Sequence, residues 1–108
     1  MTADPLAFGR IADRIEIELR ALDAWQVEPL PQEVIDRGRA FGLESMAFIQ
    51  WLQFVLVPRL QQVAAGSFEA PRSSSVHAQA IREFDGWSES AALEDALLDL
   101  DRLVETGR

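Results

Sequence analysis

The stretch from Met46 to Leu60, MAFIQWLQFVLVPRL, constrains this chain most. It is apolar on almost every side yet carries Gln50, Gln53 and the pair Pro58-Arg59. Ten of the twelve residues from Met46 to Val57 are apolar. Placed at about 100° per residue, they leave only a narrow strip, holding Gln50, Gln53 and Gln61, without a hydrophobic neighbour. A helix of that kind is a buried spine. Pro58 cannot donate to the carbonyl of Phe54 and its ring crowds that carbonyl, so the axis is expected to kink or restart there. Arg59 emerges at the break and must reach water or a carboxylate, because burying an unpaired guanidinium is costly. A structural pair with an acid on the first or last helix is the favoured expectation.

Helical periodicity continues on both sides. Phe8, Ile11, Ala12, Ile15, Leu19 and Leu22 recur at three- and four-residue steps and form one stripe. The opposite face carries Arg10, Arg14, Glu18 and Arg20, where Arg14 with Glu18 and Glu16 with Arg20 are spaced to pair. Trp25 lies at the edge of the stripe, and Pro29 and Pro31 forbid continuation, so this helix is expected to end near Trp25 to Val27. Pro31 can open a short helical turn through Ile35, while Gly38 and Gly42 argue for a loop returning to the core through Phe41 and Leu43. Ser45, or Glu44 beside it, is the expected start of the second helix. Gly66 to Ser75 reads as a polar connector with Phe68 pinning it to the body. A third, short helix spans about Val76 to Phe84, with His77 in a surface or capping role and Asp85-Gly86 as its stop.

Ser88 or Ser90 caps a last helix whose apolar face is Ala92, Leu93, Ala96, Leu97, Leu100, Leu103 and Val104. Its acids, Glu94, Asp95, Asp99, Asp101 and Glu105, read as a solvated face. With no strand-like alternation and no internal repeat, the expected fold is all-α. It is a single domain over residues 1–108, a four-helix bundle with two long outer helices around the central apolar one.

Composition excludes more chemistry than any motif supports. The chain has 18 acidic residues against 10 arginines, no lysine and no cysteine, for a net charge of −8. Without lysine there is no P-loop lysine or Schiff base; without cysteine there is no thiolate nucleophile, zinc knuckle or iron-sulfur ligand. His77 is the single imidazole, so a two-histidine metal site cannot be built within one chain. No catalytic residue, cofactor or metal is assigned, and the acidic pairs of the helices read as solvated. The net charge repels phosphate backbones, and Arg37 with Arg39 is the nearest approach to a basic patch, so direct nucleic-acid binding is not expected. The longest apolar run, Ala47 to Val57, is interrupted by two glutamines and is far short of the roughly 18 to 20 residues that span a bilayer. The N-terminus lacks the pattern of a signal peptide, and the chain reads as cytoplasmic.

Trp25 followed by Pro29 and Pro31, then Phe41, Ser45-Met46 and above all WLQFVLVPRL from Trp51 to Leu60, resemble the YqcC-like family of small bacterial proteins. The likeness covers most of the chain. It implies a helical bundle of unknown biochemical activity. In some bacteria the family's gene lies beside that of the tRNA pseudouridine synthase known as type C, which implies a shared process. Where relatives usually show a proline and a tyrosine early in the third helix, this chain has Ala78-Gln79, so a role of that segment elsewhere in the family does not carry over.

Two function classes follow. The first is a non-enzymatic interaction module with a protein partner, a tRNA-modifying enzyme by family neighbourhood. Its contact surface would include Gln50, Trp51, Gln53, Pro58 and Arg59 wherever they reach solvent. Ile17 and Leu98, centred on polar faces, would be the seeds of a homodimer, although scattered exposed apolar residues need no explanation. The second is a small-ligand-binding or carboxylate-based enzymatic bundle with Arg59 anchoring an anion. An enclosed cavity lined by Trp51 and Arg59 would favour the ligand; an open apolar groove would favour the partner.

Overall fold

The computed structural model describes residues 4–42 and 46–106. Helix α1, Pro5–Ala21, begins where Asp4 Oδ1 accepts from the Leu6 N–H at 3.0 Å and Pro5 fills the first turn, where a missing donor costs nothing. Its stripe of Phe8, Ile11, Ala12, Ile15 and Leu19 is buried as the periodicity predicts. The helix stops at Ala21, earlier than the prolines required. Asp23 takes a left-handed conformation (φ 57°), the Asp23 N–H donates to Arg20 O at 3.0 Å, and the Ala24 N–H donates to Leu19 O at 2.8 Å. This is a Schellman turn, which satisfies the last carbonyls before any proline is reached.

Residues 32–41 form a helix, not a single turn followed by a loop. In α2, Gln32–Phe41, Gly38 sits buried in mid-helix. A Cβ added there would meet the Met46 thioether, with Sδ 2.9 Å away. The glycine serves close packing, which offsets its poor helix propensity. The expected helix start at Glu44 or Ser45 lies outside the described residues.

The apolar spine is continuous through three segments: α3, Phe48–Trp51; a π-helical turn, Leu52–Leu56; and α4, Val57–Ala64. The Val57 N–H donates to the carbonyl of Leu52, five residues back. The break expected at Pro58 is thus a widened turn just upstream of it. A second Schellman turn ends α4, with Gly66 at φ 82°, the Gly66 N–H on Val63 O at 3.1 Å and the Ser67 N–H on Gln62 O at 2.9 Å. Helix α5, Val76–Glu83, follows the connector, and a 3₁₀ turn at Ser88–Ser90 leads into α6, Ala91–Thr106.

All described regular structure is helical, with α2 added to the four helices expected. The arrangement also differs from the expected one. Helix α1 packs broadly against both α4 and α6, α5 packs on α6, and α2 leans on the π turn, with no comparably broad contact between α4 and α6. The amphipathic α1, not the apolar spine, lies between the other long helices. Gly9 permits this: a Cβ there would come within 3.0 Å of Ala64 Cβ, so small residues mark the α1–α4 crossing. On the outer face, Arg20 pairs with Glu16 at 2.9 Å as spaced, but Arg14 reaches Asp99 of α6 at 2.7 Å and not Glu18. Ile17 is 60% exposed, whereas Leu98 is half-buried.

Candidate functional site

The candidate contact residues part into two groups on opposite duties. Gln50 and Gln53 are turned to the segment after α1 and are engaged there. Gln53 is buried: the Gln26 N–H donates to its Oε1 at 2.7 Å, and its Nε2 donates to the Gln26 carbonyl at 2.7 Å. Both polar ends of one amide therefore mimic a strand partner for the backbone of Gln26. Half-buried Gln50 donates to Gln26 Oε1 at 3.3 Å, and its own Oε1 accepts from the Ala47 N–H at 3.3 Å at the start of α3. Gln53 is thereby corrected from a contact residue to a structural staple, since a buried polar group must be paired and this one is.

Trp51 and Arg59 belong to the other group and line one cleft of about 450 Å³. Its apolar floor is Phe48, Trp51, Leu56, Leu60, Val76 and Leu100, and its polar rim carries Arg59, Glu69, Ser73, Ser74 and Gln79. Trp51, half-buried, stacks on Phe48 with centroids 6.1 Å apart and planes 10° from parallel. Phe48 in turn meets Phe84 at 5.4 Å, and Phe84 meets Trp87 edge-on at 5.2 Å. The cleft wall at Trp51 is thus continuous with an aromatic row through the core.

The π turn sets which side chains face the cleft. Residues five apart in an α-helix diverge by about 140°, whereas i→i+5 hydrogen bonding brings them to one side. Leu56 therefore joins Trp51, and the displaced register carries Arg59 and Leu60 round with it. Pro58 itself is not among the lining residues. Its contribution is the missing donor that the widened turn accommodates.

Arg59 is exposed, and the acid expected to pair with it is absent among the described residues, where no carboxylate lies within 4.0 Å. Its guanidinium instead lies 4.5 Å from the centroid of the Phe68 ring, a cation-π contact that holds the connector and fixes the arginine. Phe68 pins the connector as expected, through a cation and not through the core.

At the far side of the cleft, Asp101 performs a task that reading it as a solvated acid missed. Its Oδ1 accepts from the Val76 N–H at 3.1 Å and from the Ser74 hydroxyl, and its Oδ2 accepts from the His77 N–H at 2.9 Å. Helix α5 is capped by a carboxylate from α6, and the half-buried His77 takes part through its backbone. The positive end of α5 is therefore already neutralised and offers no separate anion site. Sequence carries no signal of this, because Ser73, Ser74 and Ser75 stand directly before α5 as ordinary capping residues, although the Ser75 side chain makes no cap hydrogen bond. Among the described residues, no cluster of three metal-ligating side chains occurs and no helix is long and apolar enough to cross a membrane.

Comparison with known proteins adds a family. An uncharacterized protein of Haemophilus influenzae is 25% identical over 76 residues, covering 68% of this chain and 72% of that protein. A tRNA pseudouridine synthase C of Pectobacterium carotovorum subsp. carotovorum is 36% identical over 59 residues, 55% of this chain but only 16% of that protein. No solved structure matches the chain. Residues 9–103 match the family DUF446, described as tRNA pseudouridine synthase C, and the chain belongs to that family.

Proposed function

We propose that this chain is a non-enzymatic accessory module that binds a tRNA pseudouridine synthase in the cytoplasm through the cleft between Trp51 and Arg59, and that it is a YqcC-like protein. One observation carries the reading. A segment similar to this chain makes up most of a small protein in one bacterium and a minor part of a far longer protein named as the synthase in another. Joining two parts in one chain replaces an encounter between them with a high effective concentration, which is useful only where the parts work together. The chemistry of the cleft is consistent with binding. Its rim holds one guanidinium, one carboxylate, hydroxyls and an amide, and the nearby Asp101 is spent on α5.

A second reading, a small-ligand site at the same cleft, draws on its size, since pockets for small molecules run from about 300 to 1,000 Å³. The deciding experiment is calorimetric titration of the chain with the tRNA pseudouridine synthase C encoded in the same genome. A stoichiometric complex that weakens with Arg59→Glu supports the accessory reading. No association at about 100 μM of each protein, a Kd too weak for a working complex, removes it.

A further inference from the structure

From the lining of the cleft we infer that its occupant is an apolar or aromatic side chain carrying or flanked by a carboxylate, presented by a segment of the partner. This deepens the accessory reading and rests on it for the source of the segment. The floor is apolar from Phe48 through Leu56 and Leu60 to Leu100, with Trp51 as one wall, so it accepts a hydrophobic anchor. Arg59 stands at the rim of that same floor. Within a chain of net charge −8 it is a local cation with no ion-pair partner among the described residues, a condition it shares with Arg37, Arg72, Arg82 and Arg102, but of these it is the one that lines the cleft.

The guanidinium is also prepared for use. The Arg59 Cζ lies over the Phe68 ring, 4.5 Å from its centroid, which holds in place a group that recognises a carboxylate in fork fashion through its N–H edge. A phosphate-bearing occupant is disfavoured. The amides at the start of α5 that would share its charge are taken by Asp101, and Glu69 on the same rim opposes a second negative charge. One arginine against one carboxylate is the match the rim supports.

The test uses a probe of defined chemistry, 4-phenylbutyrate, beside its amide, which has the same shape without the charge. Each is titrated into the full ¹⁵N-labelled chain while the Trp51 indole and Arg59 side-chain signals are followed. The carboxylate is expected to shift both signals and to bind about tenfold more tightly than the amide, in line with a charge-assisted hydrogen bond. Arg59→Gln should erase that difference while leaving amide binding intact. Phe68→Ala should reduce it, and Glu69→Gln should increase it. Equal binding of carboxylate and amide, or no shift at Trp51 with either, overturns the inference.

Competition then separates it from the reading it rests on. Displacement of the synthase by 4-phenylbutyrate supports both. Selective binding of the carboxylate with no synthase complex keeps the site's chemistry and removes the partner. A synthase complex indifferent to Arg59→Gln removes the carboxylate and keeps the partner.

Discussion

Replacing Gln53 with alanine tests whether a glutamine on an apolar helix is a surface group or a fastening. The residue is 6% exposed, and its side chain closes two 2.7 Å hydrogen bonds on the N–H and carbonyl of Gln26. Alanine removes the partners of both backbone groups of the half-buried Gln26 at once. Each lost hydrogen bond costs about 1 kcal/mol, and a backbone group left short of a partner adds about 1 kcal/mol or more where water cannot replace it. We expect a loss of roughly 2 to 4 kcal/mol. With a urea slope near the lower end of about 1 to 3 kcal/mol per M, the unfolding midpoint should fall by more than about 1 M.

The control is Gln61→Ala, exposed on α4, where a change within about 0.5 kcal/mol is expected. Gln53→Glu separates polarity from size. Its carboxylate can still accept from the Gln26 N–H but faces the Gln26 carbonyl without a proton to give. The protonated form is the one the fold accepts, so the folded state raises the pKa of the introduced group. Its contribution is present at acid pH and lost as pH rises through that folded value. Matching midpoints for Gln53→Ala and Gln61→Ala would refute the staple.

Three further perturbations probe the frame of the cleft. Gly9→Ala should destabilise by about 1 kcal/mol despite better helix propensity, because its Cβ lands 3.0 Å from Ala64 Cβ; adding Ala64→Gly should restore the melting temperature, and additive effects in that double-mutant cycle would disprove the contact. Asp101→Ala should release the start of α5, losing about 1 to 2 kcal/mol of capping. Hydrogen exchange at the first α5 amides should accelerate about tenfold while α1 stays protected, and uniform acceleration would show that Asp101 acts on the whole fold. Trp51→Ala should cost roughly 1.5 to 3 kcal/mol in thermal unfolding, below the 3 to 5 of a fully enclosed aromatic, since Trp51 is half-buried against Phe48. A negligible loss would mean its stack on Phe48 adds nothing to stability.

What could be read from the sequence was what lies within a few residues along the chain. The stripes of α1 and α6 appear with their buried members correctly named, because a helical face is a local pattern and burial follows it: Phe8, Ile15 and Leu19 on one, Leu93, Leu97 and Leu100 on the other. The break near Pro58 is local too, since it follows from one missing donor. What escaped depends on partners far away. Gln53 meets Gln26 across 27 residues, and Asp101 meets His77 across 24. In both cases a polar side chain on a helix looks the same in sequence whether it faces water or a backbone amide. Gly38 misled in the opposite way. A glycine that breaks helices in isolation is also the residue that admits a neighbour closely, and only the position of Met46 decides between them. Arg14 shows how a local rule loses to a tertiary one, its i,i+4 partner Glu18 giving way to Asp99 on another helix.

Pro58 was expected to be a contact residue, and its effect on the site is stronger than a contact would be. If the spine continued as an unbroken α-helix, Trp51 and Leu56 would diverge by about 140° and no single cleft could include both. The π turn over Leu52–Leu56 reduces that divergence, with the Val57 N–H bonded five residues back to Leu52. Because the proline at 58 has no proton for the Phe54 carbonyl, the ordinary register gains one hydrogen bond fewer here than at any other point of the helix. The wider turn is correspondingly less costly. The same displacement that brings Leu56 beside Trp51 carries Arg59 to the rim, so the hydrophobic floor and the cation come from one departure in one helix. Pro58→Ala, which restores a donor for the Phe54 carbonyl at unchanged chain length, should return the segment to α-helical register and rotate Arg59 away from Trp51. A variant that still folds, yet no longer distinguishes a carboxylate from its amide, would tie the chemistry of the cleft to the π turn.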